Sequence, residues 1–165
     1  MRVFGASSVR HPRLPAGVWV HGDGLLRLGS GVVFDVSMAP IEVHVERTAE
    51  IVIGDGVYVA GGTSIEAQYS IRIGARTRMG VFCKIIDGHF HMLEGDRHVR
   101  PPPSTVVVED DVDLGPHCIL LPRAHVARGS TVRAGTVVSR RFPPGVVLGG
   151  SPAGVCGHTE RVVHP

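Results

Sequence analysis

Residues 108–138 read V-E-D-D-V-D-L-G-P-H-C-I-L-L-P-R-A-H-V-A-R-G-S-T-V-R-A-G-T-V-V. Val108, Leu114, Leu120, Val126, Val132 and Val138 fall six apart without a slip. Val112, Cys118, Ala124, Ser130 and Thr136 take the fourth position after successive anchors. A residue at that position lies two before the next anchor, so in an extended segment both side chains point to one face. An amphipathic helix would return its apolar residues every three or four positions, and this stretch does not. The pattern predicts short strands joined by tight corners, with three hexads making one triangular coil of 18 residues. Stacked coils bury aliphatic columns that no single coil can bury alone.

Moving toward the N-terminus, the same spacing returns at Ile53, Val59 and Ile65, and after a two-residue insertion at Ile73, Met79 and Ile85; Leu28 and Phe34 form a weaker opening. Turn pieces such as I-G-D-G, L-G-S-G, I-G-A-R and R-A-G-T supply Gly, Ala or Asp where the chain must bend. The 165 residues therefore read as one all-β domain, a parallel β-helix of hexapeptide repeats with one ejected loop. Its parts are an N-terminal segment over 1–27, coils over 28–142, a loop over 87–107 and a short C-terminal tail over 143–165.

The chain holds 22 Gly and 12 Pro with only 5% aromatic residues, which argues against long helices. Its net charge of +2 comes without any run of like charge, so no nucleic-acid partner is expected. All basic residues but Lys84 are Arg, a bias toward bidentate contacts with carboxylates or phosphates. No apolar stretch has the length of a signal peptide or of a membrane span, which leads to an expectation of a cytoplasmic protein without membrane insertion. Cys83, Cys118 and Cys156 form no C-x-x-C, so reduced thiols are expected, the first two in the small interior slot of the repeat as packing residues.

Between Ile85 and Val108 the period breaks, and the loop carries Asp87, His89, His91 and His98 with the triple proline 101–103. An imidazole on a loop held by a rigid scaffold is well matched to accepting and returning a proton near neutral pH.

These features together resemble the hexapeptide-repeat acyltransferase superfamily, whose members form left-handed parallel β-helices; the left hand is implied by that resemblance alone. I-I-D-G-H-F-H-M-L (85–93) is similar to the I-x-D-x-x-F-H-x-L stretch of O-acetyltransferases that modify capsular and other cell-surface polysaccharides. That likeness implies His91 as the base, with Asp87 orienting its ring. Maltose and galactoside acetyltransferases carry G-H-P instead, and a match of Gly88-His89-Phe90 to it nominates His89. His91 is preferred because it keeps both Asp87 and the distance from the repeat anchor. G-D-R-H at 95–98 is similar to a serine acetyltransferase segment, but the D-H-x-T-G partner of that family is absent.

V-E-D-D-V-D-L-G-P-H-C (108–118) resembles the family's I-G-D-N-V-W-I-G-G-G, with Asp113 where the family has Trp. V-R-A-G-T-V-V-S-R-R-F-P-P-G-V-V-L-G-G-S-P-A-G-V (132–155) closely matches the family's C-terminal segment. The resemblance implies acetyl-CoA as cosubstrate, with Gly115, Ala134 and Gly135 along the pantetheine arm and Arg140 at the adenosine phosphates. Gly154 replaces a basic residue of the family pattern. It further implies a homotrimer and a sugar-like hydroxyl acceptor, with no metal. Two other readings remain open. A zinc hydratase like the γ-class carbonic anhydrases would draw on His89, His91, His117 and His125, although His117 and His125 stand eight apart and no R-G-D precedes them. A non-catalytic trimeric scaffold is the other.

Overall fold

A computed structural model describes the backbone of residues 3–4 and 7–9 and, in full, residues 14–89, 95–96 and 98–160. Among these residues there is no helix, and so none long and apolar enough to cross a membrane. The chain winds into three sheets that share one interior. Face A stacks Val32–Asp35, Tyr58–Ala60, Arg78–Met79, Asp113–Leu114, Thr131–Val132 and Val146–Gly149. Face B stacks Leu25–Leu28, Glu50–Ile53, Ser70–Ile73, Val106–Val108, His125–Val126 and Arg141–Phe142. Face C stacks Val18–His21, Ile41–Val45, Ser64–Ala67, Lys84–Ile86, Ile119–Leu120 and Val137–Val138.

Strands within each face are parallel, and the hexad anchors turn inward as three columns. Phe34, Val59, Met79, Leu114, Val132 and Leu148 are register partners on face A. Leu28, Ile53, Ile73, Val108, Val126 and Phe142 are partners on face B. Val43, Ile65, Ile85, Leu120 and Val138 are partners on face C. All these side chains are 3% exposed or less. Burial of each contributes about 1.5–3 kcal/mol relative to solvent exposure, and the period of six survives in sequence because every anchor must reach this one interior. The architecture is the hexapeptide β-helix that the spacing predicts, consistent with left-handed winding.

The first rung begins at Val18 and the last ends at Gly149, outside the interval 28–142 that the spacing marks. Corner length explains the difference. Val108 and Val126 are 18 residues apart, but Val43 and Ile65 are 22 apart and Leu28 and Ile53 are 25 apart. Longer corners in the lower coils blur the period while the strands keep their register. Three strands run antiparallel to the rest, at the two ends: Val3–Phe4 on Val32–Asp35, Ser7–Val9 on Leu25–Leu28, and Gly154–His158 on Val146–Gly149.

Cys83 and Cys118 occupy adjacent small slots of the interior and are buried. They belong to a ladder at the corner between faces A and C, in which each slot side chain donates to a carbonyl of the next coil. Thr63 Oγ1 bonds Gly80 O at 3.4 Å, Cys83 Sγ bonds Gly115 O at 3.3 Å and Cys118 Sγ bonds Arg133 O at 3.1 Å. Contact with the Cys83 thiol, together with burial, pushes the Cys118 thiol well above its ordinary value, so it packs as a neutral group. Thr136 is the next rung. Its hydroxyl is buried with no partner among the described residues.

Candidate active site

The ejected loop leaves the prism at the corner between faces C and B, after Ile86, and rejoins it at Val106. Asp87 is fully buried at its base. Its Oδ1 accepts the backbone N–H of Gln68 at 2.7 Å, and its Oδ2 accepts those of Tyr69 at 2.8 Å and Ser70 at 2.6 Å. A carboxylate with two acceptor oxygens suits a corner where three main-chain donors converge, and such charge-assisted bonds are the strong ones. Ser104 N–H donates to the Asp87 carbonyl at 2.7 Å, so the same residue ties the outgoing and returning arms. Gly88 packs on Gln68, where an added Cβ would approach Oε1 to 2.3 Å. Farther along, Arg100 Nη1 meets Glu46 Oε1 at 3.0 Å, which lays this part of the loop over a coil two below its origin.

Of the sequence-predicted residues, Asp87 thus has both carboxylate oxygens on main-chain amides of the wall. His89 is exposed just beyond it. His91 lies outside the described residues. His98 is exposed, its N–H donating to Asp96 Oδ1 at 2.9 Å in a local turn.

Gly115, Ala134 and Gly135 come together at the corner between faces A and C. Gly115 N–H donates to Val132 O at 2.8 Å and Gly135 N–H donates to Pro116 O at 2.9 Å, so the two turns stack directly. Gly115 is needed for that stacking, since a Cβ there would stand 2.7 Å from Ala134 N. Gly135, with φ of +70°, faces open space. The result is a ledge of bare main chain with one methyl group, a surface against which an extended, amide-bearing chain can lie. Arg140 is exposed at the other corner, two coils beyond the loop, its guanidinium carbon 4.3 Å from the Phe142 ring centroid.

The ledge and the loop therefore border opposite edges of face C. Sequence reasoning missed what lies between them. Lys84 Nζ bonds Glu66 Oε1 at 2.6 Å on the outer surface of face C, and Ser64 Oγ bonds the same oxygen at 2.8 Å. Burial opposes charge on Glu66, but Lys84 and Ser64 outweigh it and hold the carboxyl below its ordinary value. The only signal in sequence was Lys84 as the sole lysine among arginines. Sequence also gave no warning that Phe82 and His117 stack, at 5.4 Å between centroids, beside the ledge.

Of the four histidines weighed for zinc, His91 lies outside the described residues, and His117 and His125 stand on different parts of the coil. His117 stands at the ledge corner, whereas His125 lies on face B with Nε2 2.7 Å from Glu109 Oε1. Among the described residues no three His, Cys, Asp or Glu side chains form a metal-binding group.

This arrangement is the fold of the hexapeptide-repeat acetyltransferases. The acetyl-CoA complex of such an enzyme from Vibrio cholerae matches with a TM-score of 0.67 at 22% identity, over 87% of this chain and 72% of that one. The polysialic acid O-acetyltransferase OatWY matches with a TM-score of 0.64 at 16% identity, over 88% and 83%. In sequence, a 2,3,4,5-tetrahydropyridine-2,6-dicarboxylate N-acetyltransferase of Staphylococcus aureus is 37% identical over 65 residues, 39% of this chain. The match spans only 27% of that relative's length. No protein-family model matches the chain.

Proposed function

We propose that this protein is an acetyl-CoA-dependent O-acetyltransferase that modifies a hydroxyl of a sugar or polysaccharide precursor. The observation that carries the reading is the bare main-chain ledge of Gly115, Ala134 and Gly135, across face C from a histidine-bearing loop whose base is fixed by Asp87. The Vibrio enzyme of the same fold was crystallised with acetyl coenzyme A, and the OatWY enzyme is an O-acetyltransferase of polysialic acid; both support donor and acceptor class.

The residues present fit the donor. The ledge receives the pantetheine arm, and Arg140, a planar bidentate donor, receives phosphate. Acetyl-CoA supplies the activated acetyl group as its thioester. His91 removes the proton from the acceptor hydroxyl as that oxygen attacks, and returns it to the departing thiolate. Asp87 serves by fixing the loop base against 68–70, and His89 is the alternative base. Because loop and ledge border opposite edges of face C, the complete site is assembled between chains, with the loop of one copy meeting the ledge of the next in a cyclic homotrimer. The protein works in the cytoplasm, where acetyl-CoA is at hand.

The Staphylococcus relative favours an amine acceptor as a second reading. Thiol release from acetyl-CoA, measured with methyl glycosides and with the matching amino sugars, tests both. Release dependent on a neutral glycoside, giving an alkali-labile ester, supports the first reading; release only with amino sugars selects the second. No release with either class, and no binding of acetyl-CoA, would overturn the transferase.

A further inference from the structure

At the corner where face A turns into face C, four consecutive coils place Gly62, Phe82, His117 and Gly135 one above another. Phe82 N–H donates to Gly61 O, His117 N–H to Val81 O and Gly135 N–H to Pro116 O. All four have left-handed backbone, with φ of 75°, 57°, 58° and 70°. L side chains avoid this region because Cβ crowds the following carbonyl, so a phenylalanine and a histidine there are exceptions. Their rings stack with planes 10° apart, yet Phe82 remains 44% exposed. The column is closed below, since a Cβ on Gly62 would stand 2.3 Å from the Phe82 ring. It is open above, since a Cβ on Gly135 would meet nothing within 4 Å.

The coil repeat of about 4.8 Å is close to a ring-stacking distance, so a planar group at the level of Gly135 continues the column. Arg133 stands two residues before Gly135, exposed and without a carboxylate partner among the described residues. From Leu114 to the C-terminus the chain carries six arginines and one acidic residue, Glu160. A flat ring surface beside unpaired guanidinium is complementary to a base that carries phosphate.

We propose that the Phe82–His117 column and Arg133 form a nucleotide subsite, in which a heteroaromatic base stacks on His117 in the space left by Gly135 and its phosphate pairs with Arg133. Every base offers a π-face, so the stack sets the ligand class while its edges set identity. The nucleotide has two sources: the adenosine end of an acyl-CoA donor, whose phosphates would then pair with Arg133 in place of Arg140 and whose pantetheine arm would lie on Gly115 and Ala134 alone, or the nucleoside diphosphate of an activated-sugar acceptor. The first rests on the donor reading above; the second does not.

Calorimetric titration of the full chain with coenzyme A, dTDP, UDP and GDP tests the assignment without turnover. His117→Gly removes the ring and eases the backbone, and is expected to weaken the relevant probe by about tenfold or more. His117→Phe keeps the ring and restores affinity to within about threefold, while Gly135→Asn fills the space and weakens binding comparably to His117→Gly. Arg133→Ala weakens nucleotides but leaves nucleosides unchanged. Loss confined to coenzyme A assigns the site to the donor, and loss confined to the nucleoside diphosphates assigns it to the acceptor. His117-dependent dTDP binding without coenzyme A binding would keep this subsite while removing the transferase reading. Unchanged affinities in a folded His117→Gly protein, or no binding of any probe by the wild type, overturn the proposal.

Discussion

The carboxylate of Asp87 closes on the main chain of Ser70 across one coil, Oδ2 to N at 2.6 Å, and the same two oxygens take the amides of Gln68 and Tyr69. Asp87→Asn keeps the shape but turns an NH2 group toward an N–H donor. The expected cost is about 2–4 kcal/mol of stability. Chemical denaturation reads it directly, and a wild-type midpoint would mean that the three bonds contribute little.

The assignment of the base predicts a split between two neighbouring histidines. His91→Ala lowers turnover by about a hundredfold or more while coenzyme A binding holds. His89→Ala changes turnover by no more than a few-fold on the same scale. Steady-state thiol release and a CoA titration on both variants check this, and the reverse order would move the base to His89.

At the ledge, Gly115→Ala brings a Cβ to 2.7 Å from Ala134 N and 2.9 Å from Val132 O. Both contacts are main chain, so relief requires separating two coils. A loss of about 1–3 kcal/mol is expected from such overpacking, measured by thermal or urea unfolding. Stability equal to the wild type would show that the coils part there at little cost.

The unpartnered hydroxyl of Thr136 predicts a gain in the opposite direction. Thr136→Val keeps the branched shape and removes a buried polar atom that no carbonyl of the described residues reaches. Stability should rise by about 1 kcal/mol. A destabilised variant would imply a partner for that hydroxyl.

On face A, hydroxyl groups of Ser37 and then Tyr58, with the Ser37 N–H, hold the Asp35 carboxyl down at about 2. A carboxyl depressed in the folded state takes up a proton more readily when unfolded. Its contribution to stability is therefore complete above the unfolded value of about 3.9 and is lost as pH falls through about 2. The difference in melting temperature between wild type and Asp35→Asn should stay level from about pH 6 to about pH 4 and then close toward about pH 2. A difference that ignores pH across this window would sever the link.

The upper coils were readable in sequence because each hexad anchor from Val108 to Val138 reaches the interior at a fixed interval, with corners too short to disturb it. Lower down, the 25 residues from Leu28 to Ile53 hide the same register behind longer corners, and Val18–His21 carries an exposed Trp19 that breaks the apolar impression. The site was legible only in part. Gly115, Ala134 and Gly135 share a corner because their hexads are three apart, one full coil, a relation that spacing alone conveys. The three main-chain bonds of Asp87 escaped notice because backbone amides leave no trace in side-chain identity. Phe82 and His117 escaped notice for a similar reason: a left-handed corner is signalled by glycine, and neither residue is one.

The antiparallel segments at the two ends have a consequence for solubility. A pile of parallel rungs ends in rows of unsatisfied peptide groups, a template on which another molecule of the same kind could grow indefinitely. Val3–Phe4 and Ser7–Val9 at one extremity run against the grain and occupy those rows on faces A and B, and Gly154–His158 at the other occupies the row on face A. They act as stoppers against filament growth, so trimming either terminus should turn a discrete particle into one that polymerises.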